Sequence, residues 1–559
     1  MTSSSKKLRV GLLLDSFDQP AWEYLMLERL CQSDYAEIVL LVMNDAPVPV
    51  RHVGLSARIA RIFQKQSELM YQLFYRYEQR HFRSIVDPFE TKNSSKLLAG
   101  IPRLDVVPRQ GKFSDWILDD DVETIRNHNI DVFIRLGFRL LRGSILDSAA
   151  CGVWSYHHGD NRVVRGGPAG FWETFDNHPW TGMIVQILNE DFDNGQVLYR
   201  SYSATETRSP RLNRCGFYWK GVAIIPRMLR ELHSIGGERF QAKLDSKNED
   251  LEFYSGRSHT QPTNLQFLCL LPRFVLNYAK IKFRWWFTRD QWILMYDFRD
   301  GLSTSFWRFK KLVPPKDRFW ADPHIVFKDD RYYVFFEDCP WDSEKGRISL
   351  MIMEGDGTHG EPVPILERPY HLSYPFIFEW EGEHYMIPET MDNRTIEVYR
   401  CVEFPYNWEF HTTLMDDIDA VDATLLHYQD KWWLFANIGE HPGISTMDEL
   451  FLFYSHDPLG NDWTPHPMNP IVSDVRSARP AGRIFEHNGR IYRPSQNSSG
   501  GYGRGLCLNH IDRLTESEYQ EHQVSSAAPN WDKDIIGLHT FNHAARLTMI
   551  DAKLRRWKW

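Results

Sequence analysis

The sequence lacks three features that would place it in a specialised class of protein. Its seven cysteines are scattered over 559 residues without a Cys-x-x-Cys pair, which excludes a disulfide framework and a cysteine-based zinc site. No apolar run reaches the roughly 18 residues that a membrane-spanning helix needs. A net charge of −9 argues against a dedicated nucleic-acid binder, which is normally basic. With no signal-peptide pattern before Asp15, these absences predict a cytoplasmic protein without a bound metal.

Aromatic residues, in contrast, are abundant. They make up 14% of the chain, with 20 Trp, 24 Tyr and 34 Phe. So many rings are typical of short strands with packed faces, or of sites that stack flat ligands.

The two halves of the chain differ in how their apolar segments are spaced. Before about residue 260, apolar runs such as Val10–Leu14 and Val132–Leu136 alternate with helical segments, which predicts a parallel sheet. After about Trp292, short aromatic strands alternate with tight turns. We therefore predict an α/β domain at 1–260, a basic aromatic linker at 261–291 and an all-β domain at 292–559.

The second half contains an internal repeat of strand, tight turn and strand. Four blocks of 16 residues align without a gap at intervals of 52, 48 and 59 residues. They are DPHIVFKDDRYYVFFE from Asp322, YPFIFEWEGEHYMIPE from Tyr374, DATLLHYQDKWWLFAN from Asp422 and AGRIFEHNGRIYRPSQ from Ala481. A weaker copy ends at Asp551, and outer strands near Trp292–Phe298 and Trp307–Leu312 would close the ring. A period of about 50 residues is typical of a β-propeller, here with five blades.

The repeat also predicts a site. The first and last residues of each block meet at one end of its hairpin, and most of them are polar. These residues are Asp322, Tyr374, Asp422 and Ala481, with Glu337, Glu389, Asn437 and Gln496. Carboxylates gathered at one mouth of the central channel raise each other's pKa, which suits acid/base chemistry. The alternative is that polar strand ends simply meet solvent.

The segment Gly152–Arg200 carries a group of motifs in the first half. They are Ser155-Tyr156-His157, Arg165-Gly166-Gly167-Pro168, Thr181-Gly182 and Asp193-Asn194-Gly195. With these motifs the first half resembles the folate-dependent formyltransferases. The resemblance implies a Rossmann-like α/β formyltransferase domain that uses 10-formyltetrahydrofolate.

That resemblance also implies roles for particular residues. His157 would move a proton and Asp193 would hold a positive imidazole. Ser155 stands where the family has an Asn that donates a hydrogen bond to the oxyanion. Leu136, Gly137 and Gly195 would border the cofactor.

The second half resembles five-bladed furanosidase-type glycoside hydrolases, and more closely the N-terminal domain of plant glucosamine inositolphosphorylceramide transferases. The motifs that carry this resemblance include FWADPHIVFKDDRYYVFFED and GLHTFN. It implies that Asp322 is the general base. Asp422 and Glu389 follow as its partners from their places in the repeat.

The segment 265–287 is apolar, aromatic and basic, which fits either a helix packed between domains or one that contacts an anionic membrane at its inner surface. Three functions fit the whole sequence. The first is formyl transfer to an amino group of an amino sugar, with the propeller holding a sugar nucleotide or glycan. The second is glycoside hydrolysis or glycosyl transfer by the propeller, and the third is a non-catalytic glycan-binding scaffold.

Overall fold

A computed structural model describes residues 6–46, 67–82, 86–190, 195–249 and 258–558. The chain forms two compact units. The first comprises Met1–Ser201 and Thr205–Leu276, and the second comprises Tyr202–Ala204 and Asn277–Trp559. The boundary lies within the predicted linker, most of which is the helix Asn264–Phe287. No helix among the described residues is long and apolar enough to span a membrane.

The first unit is mixed α/β and is built on a seven-stranded sheet. In spatial order its strands are Gln196–Ala204, Trp180–Ile187, Val153–His157, Val132–Arg135, Leu8–Leu14, Ala36–Asn44 and Arg103–Val106. The last five pair in parallel, as the alternating apolar runs predict, whereas Val153–His157 and Trp180–Ile187 are antiparallel. Gly11 allows close packing inside the sheet, because a Cβ there would lie 2.2 Å from the Phe133 ring.

Helices and short strands surround this sheet. The helices are Ala21–Cys31, Leu69–His81, Asp119–Arg126, Phe171–Asp176, Pro210–Ile235 and Gly237–Lys247, with a 3₁₀ turn at Ser144–Asp147. The longest begins at Pro210, and the Ser209 hydroxyl accepts the backbone N–H groups of Arg211 and Leu212 as an N-cap. The short strands are Asp18–Pro20 with Thr91–Asn93, and Arg109–Gln110, Ser114–Trp116 and Leu140–Arg142.

The second unit consists of five antiparallel sheets, the blades of a propeller, as the repeat predicts. Blades 1 to 4 run from the inner to the outer strand along the chain. Blade 1 comprises the strands Arg318–Lys328, Arg331–Pro340, Arg347–Met353 and Val363–Leu366. Blade 2 comprises Ser373–Trp380, Glu383–Glu389, Thr395–Glu403 and Asn407–Asp416, and blade 3 comprises Ala420–Tyr428, Lys431–Ile438, Glu449–Ser455 and Thr464–Pro465, with Val472–Ser473 beside the third. Blade 4 comprises Phe485–His487, Arg490–Asn497, Gly505–Leu514 and Tyr519–Ala527.

Blade 5 closes the ring with strands from both ends of this unit. It comprises Phe541–Ala544, Leu547–Trp557, Thr288–Phe298 and Lys310–Leu312, with Ile535–Gly537 beside the second of these. The strands Thr288–Phe298 and Leu547–Trp557 pair over eleven residues. The prediction that the segments before the repeat supply the outer strands of the last blade is therefore confirmed.

Turn chemistry explains why the four aligned blocks form the same hairpin. The two turn residues of every block have positive φ, as a type I′ turn requires. The pairs are Asp329 and Asp330, Glu381 and Gly382, Gln429 and Asp430, and Asn488 and Gly489. Many of the abundant aromatic side chains pack within and between these hairpins. Trp320 contacts Phe336 within blade 1, and Phe378 of blade 2 contacts Trp432 of blade 3.

Candidate functional site

The predicted columns of the repeat meet at one end of the hairpins. Ala321 pairs with Glu337, and Ser373 pairs with Glu389. Immediately after these pairs the inner strand of each of blades 1 to 3 has a bulge. The first-column residues Asp322, Tyr374 and Asp422 lie in these bulges with φ of 51°, 41° and 53°. Because a bulge redirects a side chain, the three residues leave the regular alternation of their strands.

Asp322 is buried in a network with blade 5. Its Oδ1 accepts a hydrogen bond from Thr540 Oγ1 at 2.6 Å and lies 3.5 Å from His539 Nε2. The Nδ1 of His539 lies 2.5 Å from Asp551 Oδ2. Asp551 also accepts the backbone N–H groups of Asp322, His539 and Thr540. Asp551 therefore holds both the loop that carries His539 and the bulge that carries Asp322.

Burial controls the protonation of this network. It raises the pKa of Asp322 to about 7, and the other carboxylates add to this rise while His539 opposes it. Burial alone would lower the pKa of His539, but Asp551 and Asp322 outweigh it and the pKa is raised. Trp292 stacks on the His539 ring at 4.0 Å and fixes its plane. The pKa values of both Asp322 and His539 are therefore raised, and the two groups lie within 3.5 Å of each other.

Asp422 is held differently from Asp322. Arg479 donates to both of its carboxylate oxygens, at 2.6 and 3.2 Å, and Gln496 donates at 3.0 Å. The Arg479 guanidinium also lies 4.9 Å from the centre of the Tyr502 ring. Two charge-assisted hydrogen bonds from Arg479 therefore fix the position of the buried Asp422 carboxylate.

Two further carboxylates belong to the same end of the channel. Glu389 accepts from the Ser373 hydroxyl at 3.0 Å and from the Met391 N–H at 3.1 Å. Burial, followed by the charge of Asp422, raises its pKa. Glu337 lies 3.1 Å from His371 Nε2.

Tyr374 joins blade 2 to its neighbours by hydrogen bonds. Its hydroxyl shares a hydrogen bond with Thr424 of blade 3 at 2.8 Å and accepts the N–H of Gly482, just before blade 4, at 2.8 Å. The side chain therefore links blade 2 to blade 3 and to the segment that leads into blade 4. Burial and Asp422 raise its pKa, so the phenol stays neutral. Tyr374 was predicted to be a mouth residue, and in the structure its hydroxyl is buried and engaged by Thr424 and Gly482.

Among the residues that the structure describes, three groups of side chains have the spacing of metal ligands. They are Asp322 with His539 and Asp551, Glu337 with Cys339 and His371, and His510 with Asp512 and His522. The contacts within the first group are those of the hydrogen-bonded network described above. The expectation of a site without a metal stays a prediction.

The first unit places its predicted residues in a buried polar region. The Ser155 hydroxyl accepts from Arg135 Nε at 3.0 Å and donates to the Tyr156 carbonyl at 3.2 Å. Its proton is thus directed at the backbone, which does not match the oxyanion-donor role that was predicted. Burial lowers the pKa of His157, and Asp160 offsets only part of this effect. These surroundings favour a neutral imidazole rather than the predicted positive one, and Asp193 lies outside the described residues.

The residues predicted to border the cofactor make close contacts with the backbone of neighbouring segments. The N–H groups of Leu136 and Gly137 both donate to the Leu13 carbonyl. A Cβ at Gly137 would lie 2.3 Å from the Asp15 nitrogen, and one at Gly195 would lie 2.8 Å from the Ile187 carbonyl oxygen. Contact of these residues with 10-formyltetrahydrofolate stays a prediction.

Several residues of the two sites were not predicted from the sequence. Arg479 lies two residues before the fourth block, outside the aligned columns. His539 lies in the weaker fifth copy of the repeat, outside the four aligned blocks, although its position there was a usable signal. In the first unit, burial raises the pKa of Glu23 to about 8 and lowers that of Arg135. Neither of these two residues belongs to a recognisable motif.

Comparison with known proteins supports the resemblance that was predicted for the second half of the chain. Residues 312–557 match the family described as "Glucosamine inositolphosphorylceramide transferase 1, N-terminal". Proteins named glucosamine inositolphosphorylceramide transferase 1 are 38% identical over 210 residues in Oryza sativa subsp. japonica and 34% identical over 209 residues in Arabidopsis thaliana. Each alignment covers 37% of this chain, but only 28% and 27% of the relatives, respectively.

Solved structures that resemble part of this chain include two glycoside hydrolases. A family 117 glycoside hydrolase from Zobellia galactanivorans is 13% identical and has a TM-score of 0.32, covering 47% of this chain and 90% of that chain. An α-L-arabinofuranosidase from Clostridium thermocellum is 15% identical and has a TM-score of 0.28, covering 36% and 72%. The predicted resemblance of the second half to the plant transferase domain is confirmed by the family match. The formyltransferase resemblance of the first unit stays a prediction.

Proposed function

We propose that the propeller mouth binds a carbohydrate and catalyses glycosyl transfer or glycosidic cleavage. The observation that carries this proposal is the contrast between its two aspartates. Burial raises the pKa of Asp322 to about 7, whereas Arg479 and Gln496 hold the Asp422 carboxylate by hydrogen bonds. A group that titrates near the working pH is an efficient general acid or base, and a neighbouring carboxylate can stabilise a developing oxocarbenium ion.

The relatives support an amino sugar as part of the substrate. Their name specifies glucosamine and inositolphosphorylceramide, and the matching family covers every carboxylate of the mouth. We propose that this protein also acts on an amino sugar, with a sugar nucleotide or glycan as the second substrate. In this role Asp322 moves the proton, Asp422 supplies the stabilising carboxylate and Glu389 is the second titratable carboxyl.

The test is turnover of glucosamine-containing glycosides and sugar nucleotides by the full chain and by Asp322→Asn. Loss of general acid or base catalysis should lower kcat by about 10²-fold or more, with binding of the sugar retained. Binding of the sugar without turnover by either protein would favour the glycan-binding scaffold and would refute catalysis. Equal turnover by both proteins would remove Asp322 from the mechanism.

Formyl transfer by the first unit is a second candidate, and one observation favours it. The Nε2 of His157 is buried and has no hydrogen-bond partner among the described residues. Such an atom is costly unless another group completes it, and a formyl donor would do so. Titration with 10-formyltetrahydrofolate, followed by transfer of labelled formyl to an amino sugar, tests this role. No binding of the cofactor, or equal transfer by His157→Ala, would refute it.

We also propose that the second unit contacts anionic lipid through the end of the helix Asn264–Phe287. Trp285, Trp286 and Trp557 are 68%, 59% and 64% exposed, and Lys282 and Lys558 lie over the Trp285 ring. Exposed tryptophan interleaved with lysine suits an anionic membrane interface. Vesicles containing phosphatidylserine should sediment the wild type but not Trp285→Ala/Trp286→Ala. Equal sedimentation of the two proteins would refute the contact.

A further inference from the structure

The second unit has a cavity of about 640 Å³ beside blade 1. It is bordered by the start of the inner strand, the connection that follows the second strand, and residue 289 of blade 5. Six basic side chains line it against three acidic ones: Arg289, Lys316, Arg318, Lys345, Arg347 and Arg368 against Asp317, Asp342 and Glu367. In a chain with a net charge of −9, this local excess of positive charge is unusual.

Half of these basic side chains already have strong partners. Arg318 pairs with Asp317 and Asp338, and Arg347 pairs with Asp338 and Glu367. Arg368 donates to the Tyr399 hydroxyl at 3.0 Å. These contacts fix the wall of the cavity.

The other three cations have no acidic partner among the described residues of the chain. Arg289, Lys316 and Lys345 form no ion pair within 4.0 Å there. The Arg289 guanidinium lies 4.5 Å from the centre of the Trp341 ring, and the Trp341 Nε1–H donates to the Lys316 carbonyl. Because an aromatic face positions Arg289 without using its N–H groups, those donors stay available to an anion.

The cavity adjoins the carboxylate mouth. Gly346 lines it and donates its N–H to His371 Nδ1 at 3.0 Å, and His371 Nε2 lies 3.1 Å from Glu337. A Cβ at Gly346 would lie 2.9 Å from Glu337 Oε1. An anion in the cavity would therefore be separated from the mouth by little more than the His371 ring.

We propose that this cavity is a binding site for a phosphate ester, which Arg289, Lys316 and Lys345 hold. Guanidinium and ammonium groups without carboxylate partners are the donors that phosphate oxygens prefer, and the volume suits a phosphorylated sugar or a lipid headgroup. The proposal that the substrate of the mouth carries this phosphate rests on the proposed function, whereas binding of the anion does not.

The test is calorimetric titration of the full chain with inorganic phosphate and with glucosamine 6-phosphate at constant ionic strength. Arg289→Ala/Lys345→Ala should weaken binding about tenfold or more, since each substitution removes a charge-assisted contact. Arg490→Ala/Lys533→Ala removes the same charge from exposed positions outside the cavity and should leave binding unchanged. Absence of binding, or equal weakening in both variants, would overturn the proposal.

Two further arms separate the sources of phosphate and the two proposals. Binding of phosphatidylinositol vesicles, abolished in Arg289→Ala/Lys345→Ala but retained in the control Arg490→Ala/Lys533→Ala, identifies a lipid headgroup. Binding of the soluble ester alone identifies a free phosphorylated sugar. Phosphate binding that persists in Asp322→Asn supports the phosphate site in the cavity even if no turnover is found. Turnover without any phosphate binding refutes the phosphate site but not the proposed catalysis at the mouth.

Discussion

Replacing Asp322 with Asn should change how the stability of the propeller depends on pH. Asn suits this position because it tolerates the left-handed φ of 51° and has nearly the same shape. Its Oδ1 can still accept from the Thr540 hydroxyl, and its backbone N–H can still donate to Asp551. The substitution therefore removes the titration and keeps most of the contacts.

The magnitude follows from the shift in pKa. Burial raises the pKa of Asp322 from 3.8 to about 7, so between these values the folded state binds one proton more than the unfolded state. Stability then falls as pH rises, by about 1.4 kcal/mol per pH unit. Over the roughly three units of the window, this cost grows to on the order of 4 kcal/mol and is constant above pH 7.

The assay is thermal unfolding of the two full-length proteins between pH 4 and pH 8. Their unfolding temperatures should agree near pH 4 and diverge as pH rises, with Asp322→Asn more stable by on the order of 8 °C at pH 8 at about 2 °C per kcal/mol. Asp300→Asn, at a carboxylate that is 94% exposed, is the control and should follow the wild type. Parallel profiles for wild type and Asp322→Asn would refute the reasoning that burial keeps Asp322 protonated.

Two other predictions concern the same end of the propeller. Arg479→Ala should lower the free energy of unfolding by about 3–5 kcal/mol, because it leaves Asp422 buried without its cation, and Arg479→Lys should lose less. Urea unfolding measures both, and a loss below about 1 kcal/mol in Arg479→Ala would contradict the pairing. Gly482→Ala should lower the unfolding temperature more than Gly489→Ala. Both glycines have positive φ, but a Cβ at Gly482 would lie 2.1 Å from the Phe541 carbonyl oxygen, whereas Gly489 faces open space. Equal effects would show that backbone conformation alone, and not this close approach, sets the cost.

The architecture of the second unit was predictable because its determinants are local. Each hairpin needs two adjacent turn residues that accept positive φ, and alternating side chains give its two faces. The columns that meet at the mouth follow from the same register. Closure by the first and last strands also followed, because a propeller must pair its open edges.

The chemistry of the site was less predictable, because it depends on contacts between distant segments. Asp322 meets His539 and Asp551 only after the ring closes, more than 200 residues along the chain. The expectation that clustered carboxylates raise each other's pKa holds for Asp322, yet burial is the larger cause. Periodicity does not reveal how deeply a polar side chain is buried. The same applies to Ser155, whose hydroxyl is engaged by an arginine that no motif includes.

The bulge explains how a repeated hairpin produces an asymmetric site. The same left-handed position holds a carboxylate in blades 1 and 3 and a phenol in blade 2. In blade 4 this column holds Ala481, and the positive φ, 124°, falls on the next residue, Gly482. The lack of a side chain at Gly482 lets the Phe541 carbonyl approach, and its N–H holds the Tyr374 hydroxyl. Because a Cβ at Gly482 would lie 2.1 Å from the Phe541 carbonyl oxygen, a larger residue there would shift the backbone N–H that Tyr374 binds. The hydrogen bond that joins blade 2 to the start of blade 4 therefore depends on a residue without a side chain.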